Sequence, residues 1–329
     1  MTVQITIIGL GQIGTSIGLA LAKHSETVKR VGHDKQPEVA RAAQKKGALD
    51  KVEFNLPAAV RQADLVLLTL PVSEIEATLK VISRDLKKGA VVMDTAPIKS
   101  AVSEWVKKLL PDGNFYVGLV PVINPAYLHI HETGMEAARE DLFHKGLLVI
   151  ASPPGTPGEA IALATDLAHL LGASSFFADQ AEIDGLMAST HLLPQLVAAA
   201  LVNATVDQPG WLEARKLAGH AYAMGTAPII HQDETDALCA AALLNRENVI
   251  RVLDNMIASL QGLRGAISNK DKGSVDSRLE EAYKGQVHWL RERFSADWAS
   301  EEYGEINVPS FGERLQQMVI GGLSRKPRK

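Results

Sequence analysis

Residues 4–17 read QITIIGLGQIGTSI, a short run rich in branched residues, then a glycine-punctuated turn, then helical spacing. Gly9, Gly11 and Gly14 fall where strand gives way to helix, and in that context each has a task. The first makes a tight turn, the second lets backbone approach a pyrophosphate, and the third lets helix and strand pack closely. Leu10, Gln12 and Ile13 complete a loop whose amides, at the start of a helix, face a diphosphate. The second predicted strand, VKRVGHD, ends on Asp34, twenty residues beyond Gly14. A carboxylate there hydrogen-bonds adenine-ribose hydroxyls and repels a 2′-phosphate, which favours NAD over NADP; Lys35 beside it softens that preference.

The rest of the first half repeats the alternation. ADLVLLTLP, GAVVMDT, FYVGLV, GLLVIASP and SSFFAD read as strands, with helical patterns such as SEIEATLKVISRDL and KSAVSEWVKKLL between them. Continuous apolar strands alternating with helices predict a doubly wound parallel α/β sheet of Rossmann type, covered on both faces. Ligands bind such sheets at the carboxyl edge, so Pro71 and the stretch DTAPIK (94–99) should border the site. From Ala181 onward no persuasive strand is found. Long helical patterns follow, including GWLEARKLAGHAYAMG and DALCAAALLNRENVIRVLDNMIASLQGLRGAI, too apolar for one exposed face and in need of a partner within the domain or in a second subunit. The expected division is a dinucleotide-binding domain at 1–178, an all-helical domain at 179–300 and an extension at 301–329 holding the amphipathic GERLQQMVIGGL.

The chain has 329 residues, 46% hydrophobic and 22% charged, with a formal net charge of −4, which gives no sign of nucleic acid or an anionic membrane as a partner. Its one cysteine, Cys239, lies in ALCAAALL and reads as core. MTVQITIIGLG lacks the basic region and cleavage site of a signal peptide, and LLPQLVAAALVNA is too short for a membrane span, so a cytoplasmic protein is expected.

These pieces resemble the prephenate and arogenate dehydrogenases of tyrosine biosynthesis over roughly residues 3–267. The best-matched stretches are IIGLGQIGTSIGLAL, ADLVLLTLPVSEIEATL, GMEAAREDLF, DGLMASTHLLPQLVAAAL and LLNRENVIRVLDNMIASLQGLR. The resemblance implies a Rossmann domain followed by an all-α dimerisation domain, a homodimer, and oxidative decarboxylation with NAD or NADP. It also implies catalytic positions at which this chain departs. Pro97 stands where the family has the serine of Asp-x-x-Ser-x-Lys, although Asp94 and Lys99 match. Val120 stands at the histidine of a His-Pro pair, and Gly225 at the arginine that clamps a substrate carboxylate. In the family's Ser-His-x-Pro pattern, counting back from Pro194 displaces the histidine by one residue, to His191.

A valine takes no proton and a glycine pairs with no carboxylate, so other groups must serve if catalysis persists. His191 is the first candidate for the catalytic base. The loop NPAYLHIHETG (124–134) is longer than the family's and brings His129 and His131 just downstream of Val120; they are either replacement polar groups folded over the nicotinamide or exposed decoration. As metal ligands they are two at most, and no metal site is expected. Lys99 and His220 are candidate substrate contacts, and Arg246 and Arg264 are further donors that sequence does not place. Three readings stay open: a prephenate-type dehydrogenase with an altered site, a hydride-transferring enzyme for another hydroxy acid, and a non-catalytic dinucleotide-binding regulator.

Overall fold

The four residues of β4, Leu65–Leu68, are all buried, and they divide between two cores. Leu65 and Leu67 point into one, Val66 and Leu68 into the other, as the two-residue period of a strand requires. A strand covered on both faces is why this segment is apolar throughout. In the computed structural model, residues 2–130, 132–231 and 235–296 are described. The extension at 301–329, including GERLQQMVIGGL, and His131 lie outside them.

Eight strands form one sheet: β1 (Val3–Ile8), β2 (Val28–His33), β3 (Lys51–Val52), β4 (Leu65–Leu68), β5 (Val91–Asp94), β6 (Phe115–Val122), β7 (Leu147–Ala151) and β8 (Ser174–Phe177). Their order is β3-β2-β1-β4-β5-β6-β7-β8, so the chain reverses direction across the sheet at β1, between β2 and β4. That is the switch point at which doubly wound sheets bind ligands. Helices α1 (Gln12–Ala20), α2 (Pro37–Lys45), α3 (Leu56–Val60), α4 (Val72–Ile82), α5 (Ser100–Leu109) and α6 (Gly158–Leu170) cover the faces. The expected fold class holds, with the two-residue β3 as a strand not expected from the sequence.

One pair departs from the expected parallel sheet. β6 and β7 run antiparallel, with Val120 opposite Val149. Among the described residues of the connection there is no crossover helix, only 3₁₀ turns at Pro125–Tyr127 and Gly134–Ala137, and without a crossover the chain returns in the opposite direction. The segment MEAAREDLF (135–143), helical in composition, forms no α-helix here. Ala137, Ala138, Leu142 and Phe143 are all buried, and on a helix they would spread over about 240° of its circumference. An irregular path puts Leu142 and Phe143 into the first core and brings the turn at Ala137 against α1.

The second domain is helical: α7 (Gln180–Met187), a π turn (Ala188–Leu192), α8 (Leu193–Thr205), α9 (Trp211–Leu217), α10 (His220–Thr226), α11 (Pro228–His231), α12 (Thr235–Leu244), α13 (Arg246–Ser268) and α14 (Lys272–Ser295). Asp179 starts it by accepting the N–H of Glu182 on its side chain at 2.7 Å, an N-cap. Two expected single helices are divided. GWLEARKLAGHAYAMG breaks at Ala218–Gly219, and DALCAAALLNRENVIRVLDNM breaks at Asn245, whose side-chain amide instead donates to the Asp184 carbonyl at 2.7 Å. Cys239 is exposed, which corrects the core reading; α12 buries Ala237, Leu238 and Ala241 instead.

The run Gln180–Thr205 is, contrary to the sequence expectation, long and apolar enough to cross a membrane by length and composition. Two of its buried residues, Asp184 and Gln195, are polar, and Ala188 and Leu192 sit in the second core with α4 and α5. These contacts bury part of its apolar surface within the fold.

Candidate functional site

The glycine loop is built as its spacing requires. Gly9 has φ +93°, the left-handed region, and a Cβ there would drive into the Thr69 carbonyl. A Cβ on Gly14 would strike the Gly9 carbonyl oxygen and the Thr69 hydroxyl. Gly11, by contrast, is exposed, and a Cβ added to it would meet nothing within 4 Å. The first and third glycines are thus fixed by packing, while the second leaves open space against bare backbone. That opening lies at the start of α1, whose first turn carries no acidic residue and no side-chain cap, so its N–H groups and dipole remain for an anion.

Leu10 is fully buried, and its N–H donates to Asp34 Oδ2 at 2.7 Å; Gln36 N–H donates to Oδ1 at 2.9 Å. Asp34 therefore stands half-buried at the end of β2 beside the turn. Gln12 opens α1 and reaches the Ala137 carbonyl at 3.4 Å, while Ile13 packs on the first core. Pro71 ends the β4 connection and caps α4 as its N-cap residue. Thr69, not foreseen from sequence, donates its hydroxyl to the Gly9 carbonyl and ties the end of β4 to the loop. These residues fit a dinucleotide: open backbone for the pyrophosphate and a carboxylate at the ribose position.

Lys99 does not face solvent. Its ammonium is fully buried, 2.6 Å from Asp94 Oδ1, and the other Asp94 oxygen accepts the Tyr116 hydroxyl at 2.6 Å. Burial pushes the Lys99 pKa down, opposed by the neighbouring Asp94 charge. Burial and then Asp94 hold the Tyr116 phenol well above its ordinary value. Lys99 thus has no exposed surface, and its ammonium is held by Asp94 rather than open to solvent. Above it, Asp184 of α7 accepts the N–H of Lys99 at 2.6 Å and of Ser100 at 3.1 Å. Helix α5 has no cap from its own N-cap residue, so the second domain caps it.

Val120 is buried in a small apolar cluster with Ala151 and Ile183. Pro97 is half-buried in the turn between β5 and α5. His191 is half-buried within the π turn Ala188–Leu192. A π turn takes up one additional residue, and the one-residue displacement counted in the sequence falls inside it. The buried line of this run is Asp184, Ala188, Leu192 and Gln195, which leaves His191 roughly 100° to its side.

The histidine loop is anchored along α1. Arg139 N–H donates to Ser16 Oγ at 3.0 Å, its guanidinium pairs with Glu132 at 2.7 Å, and it lies over the Tyr127 ring at 5.8 Å. Tyr127 donates to Asp141 at 2.7 Å. His129 is exposed in the turn after Pro125–Tyr127. The anchored half of the loop borders the first turn of α1.

His220 is exposed at the start of α10. That helix packs on the far end of α8, where Tyr222 and Thr205 hydroxyls lie 2.9 Å apart. Thr205 is about 21 Å along the helix from His191 at 1.5 Å per residue, so one chain does not bring His220 and His191 together. Gly225 is exposed on the same helix, and Arg246 and Arg264 are exposed on α13. Arg293, which carries no signal in the sequence, is buried at the last turn of α14 and donates to the Ile123 carbonyl at 2.8 Å, just past β6. Among the described residues no three His, Cys, Asp or Glu side chains gather as a metal site.

Fold and site together define a Rossmann-type oxidoreductase with a helical second domain. The nucleotide-binding domain of prephenate dehydrogenase matches residues 17–177, and the prephenate dehydrogenase dimerization domain matches residues 179–281. The chain belongs to the prephenate dehydrogenase family. It is 27% identical over 289 residues to the cyclohexadienyl dehydrogenase of Zymomonas mobilis, covering 86% of this chain and 95% of that one. It is 28% identical over 286 residues to the prephenate dehydrogenase of Lactococcus lactis, covering 85% and 76%. Among solved structures, the prephenate dehydrogenase from A. aeolicus in complex with hydroxyphenyl propionate and NAD+ superposes with a TM-score of 0.77 at 21% identity, covering 88% of this chain and 98% of that one.

Proposed function

We propose that this chain is an NAD-dependent dehydrogenase that oxidatively decarboxylates a prephenate- or arogenate-type substrate, acting as a cytoplasmic homodimer. The observation that carries the reading is the open backbone at Gly11, flanked by packed Gly9 and Gly14, with the Asp34 carboxylate beside it. Gly9, Leu10, Gly11, Gln12, Ile13 and Gly14 would hold the pyrophosphate, Asp34 the adenine ribose, and Pro71 the border of the pocket. Bound NAD supplies the hydride acceptor. The protein's part is to take the hydroxyl proton, and imidazole is the side chain suited to that near neutral pH. His191 is assigned that role because it flanks the buried line of the helix that also carries Asp184. His129 is assigned no chemistry, being exposed on a loop anchored to α1.

Dimerisation is supported by an apolar seam on α13. Ile250, Ile257, Leu260 and Ile267 recur at a/d spacing and are each at least 50% exposed. α14 adds Leu279 and Tyr283. Titrating the purified protein with NAD+ and NADP+, then assaying prephenate and arogenate, tests the reading. Binding with turnover is expected. Binding without turnover on either substrate rejects the prephenate- or arogenate-type reading and leaves a dehydrogenase for another hydroxy acid or a regulator, and absence of dinucleotide binding refutes the cofactor assignment.

A further inference from the structure

Lys35 and Glu74 form an ion pair across the switch point of the sheet. Lys35 follows Asp34 at the carboxyl end of β2, and Glu74 lies in the first turn of α4, which Pro71 caps after β4. Because β1 lies between β2 and β4, the pair bridges the end of β1, next to the Gly9–Gly14 turn. This is where the adenosine half of a dinucleotide enters such a fold.

Asp34, Lys35 and Glu74 together carry two negative charges and one positive. A 2′-phosphate on the adenine ribose brings about −1.5 to −2 more at neutral pH. Lys35 is the one cation of the three and sits one residue from the ribose-facing carboxylate, so it is the group a 2′-phosphate would recruit. Its ammonium is held by Glu74 instead. We propose that Glu74 sets the dinucleotide preference: it occupies Lys35 and adds a second carboxylate, so the chain discriminates against NADP through this pair as well as through Asp34. The inference rests on the dinucleotide reading above. Both side chains reach solvent, 63% for Lys35 and 32% for Glu74, so the fold does not depend on the pair and a single substitution can change the preference.

The test is calorimetric titration of NAD+ and NADP+ into the full chain and its Glu74→Gln, Lys35→Gln and double variants. Glu74→Gln should shift the affinity ratio toward NADP by roughly tenfold, the scale of one charge-assisted hydrogen bond, with NAD affinity little changed. Lys35→Gln should shift the ratio the other way, and the double variant should return close to the wild-type ratio. An unchanged ratio in Glu74→Gln overturns the proposal. So does a double variant that keeps the full gain of Glu74→Gln, because the gain would then not pass through Lys35. Wild-type protein that binds neither dinucleotide refutes the underlying cofactor reading, an outcome separate from either of these.

Discussion

The Asp184 carboxylate accepts the backbone N–H of Lys99 at 2.6 Å, a hydrogen bond between the helical domain and the first turn of α5 in the dinucleotide domain. A second bond, from Ser100, and the Asn245 amide on the Asp184 carbonyl make this residue a buried joint between the domains. Asp184→Ala leaves the buried Lys99 N–H and the part-buried Ser100 N–H without an acceptor. It should lower unfolding free energy by about 2–4 kcal/mol, since each orphaned donor costs about 1–3. Urea titration measures this directly, and a loss below about 0.5 kcal/mol, typical of a surface change, contradicts the joint.

Lys99 and Asp94 form a pair with no exposed surface. Lys99→Met should cost about 3–5 kcal/mol by stranding the Asp94 charge, and Asp94→Leu combined with Lys99→Met should recover much of that loss. Additive losses in the double variant, read from denaturant midpoints, would mean that the two side chains do not compensate each other.

Tyr116 gives a pH dependence. Its folded pKa is held well above the ordinary 10.0, first by burial and then by Asp94. The phenol therefore ionises more readily in the unfolded chain, so the stability it contributes is whole below pH 10 and declines as pH rises past 10. Lys99, with its pKa lowered from 10.5, acts oppositely, its burial penalty easing as pH rises toward 10.5; this is common to wild type and Tyr116→Phe and largely cancels in their difference. Tyr116→Phe should lose about 1.5–3 kcal/mol at neutral pH from the bond to a charged acceptor, and the gap should narrow above pH 10. A gap that stays constant across that range would place the phenol outside the titrating network.

Gly11 and Gly14 separate binding from folding. Gly14→Ala meets backbone and should destabilise by several kcal/mol, about 1–3 or more as for other overpacked sites. Gly11→Ala meets nothing and should keep its stability within about 0.5 kcal/mol while weakening NAD+ affinity at least tenfold, about 1.4 kcal/mol. Equal NAD+ affinity in Gly11→Ala and wild type would remove the pyrophosphate from this loop.

The sheet was legible because β4 alternates between two cores and so reads as one apolar run, and the glycine loop was legible because its constraints are local. The antiparallel β6–β7 pair was not, since an apolar strand carries no mark of its neighbour's direction. The MEAAREDLF segment has helical composition, and only the sheet beneath Leu142 and Phe143 shows why the helix does not form. Asp184, Tyr116 and Arg293 escaped notice because their partners are distant in sequence: Lys99, Asp94 and Ile123 lie 85, 22 and 170 positions away. The buried state of Lys99 is likewise set by Tyr116 and Asp184, which nothing near DTAPIK announces.

Reduction of NAD+ by the purified chain in the presence of prephenate or arogenate, followed for wild type and His191→Asn, bears most directly on the assignment. Wild type should form NADH with release of carbon dioxide. His191→Asn should lose kcat on the order of 10²–10⁴-fold, with NAD+ affinity unchanged, as removal of a general base produces. Tight NAD+ binding by wild type without NADH formation from either substrate would contradict the assignment.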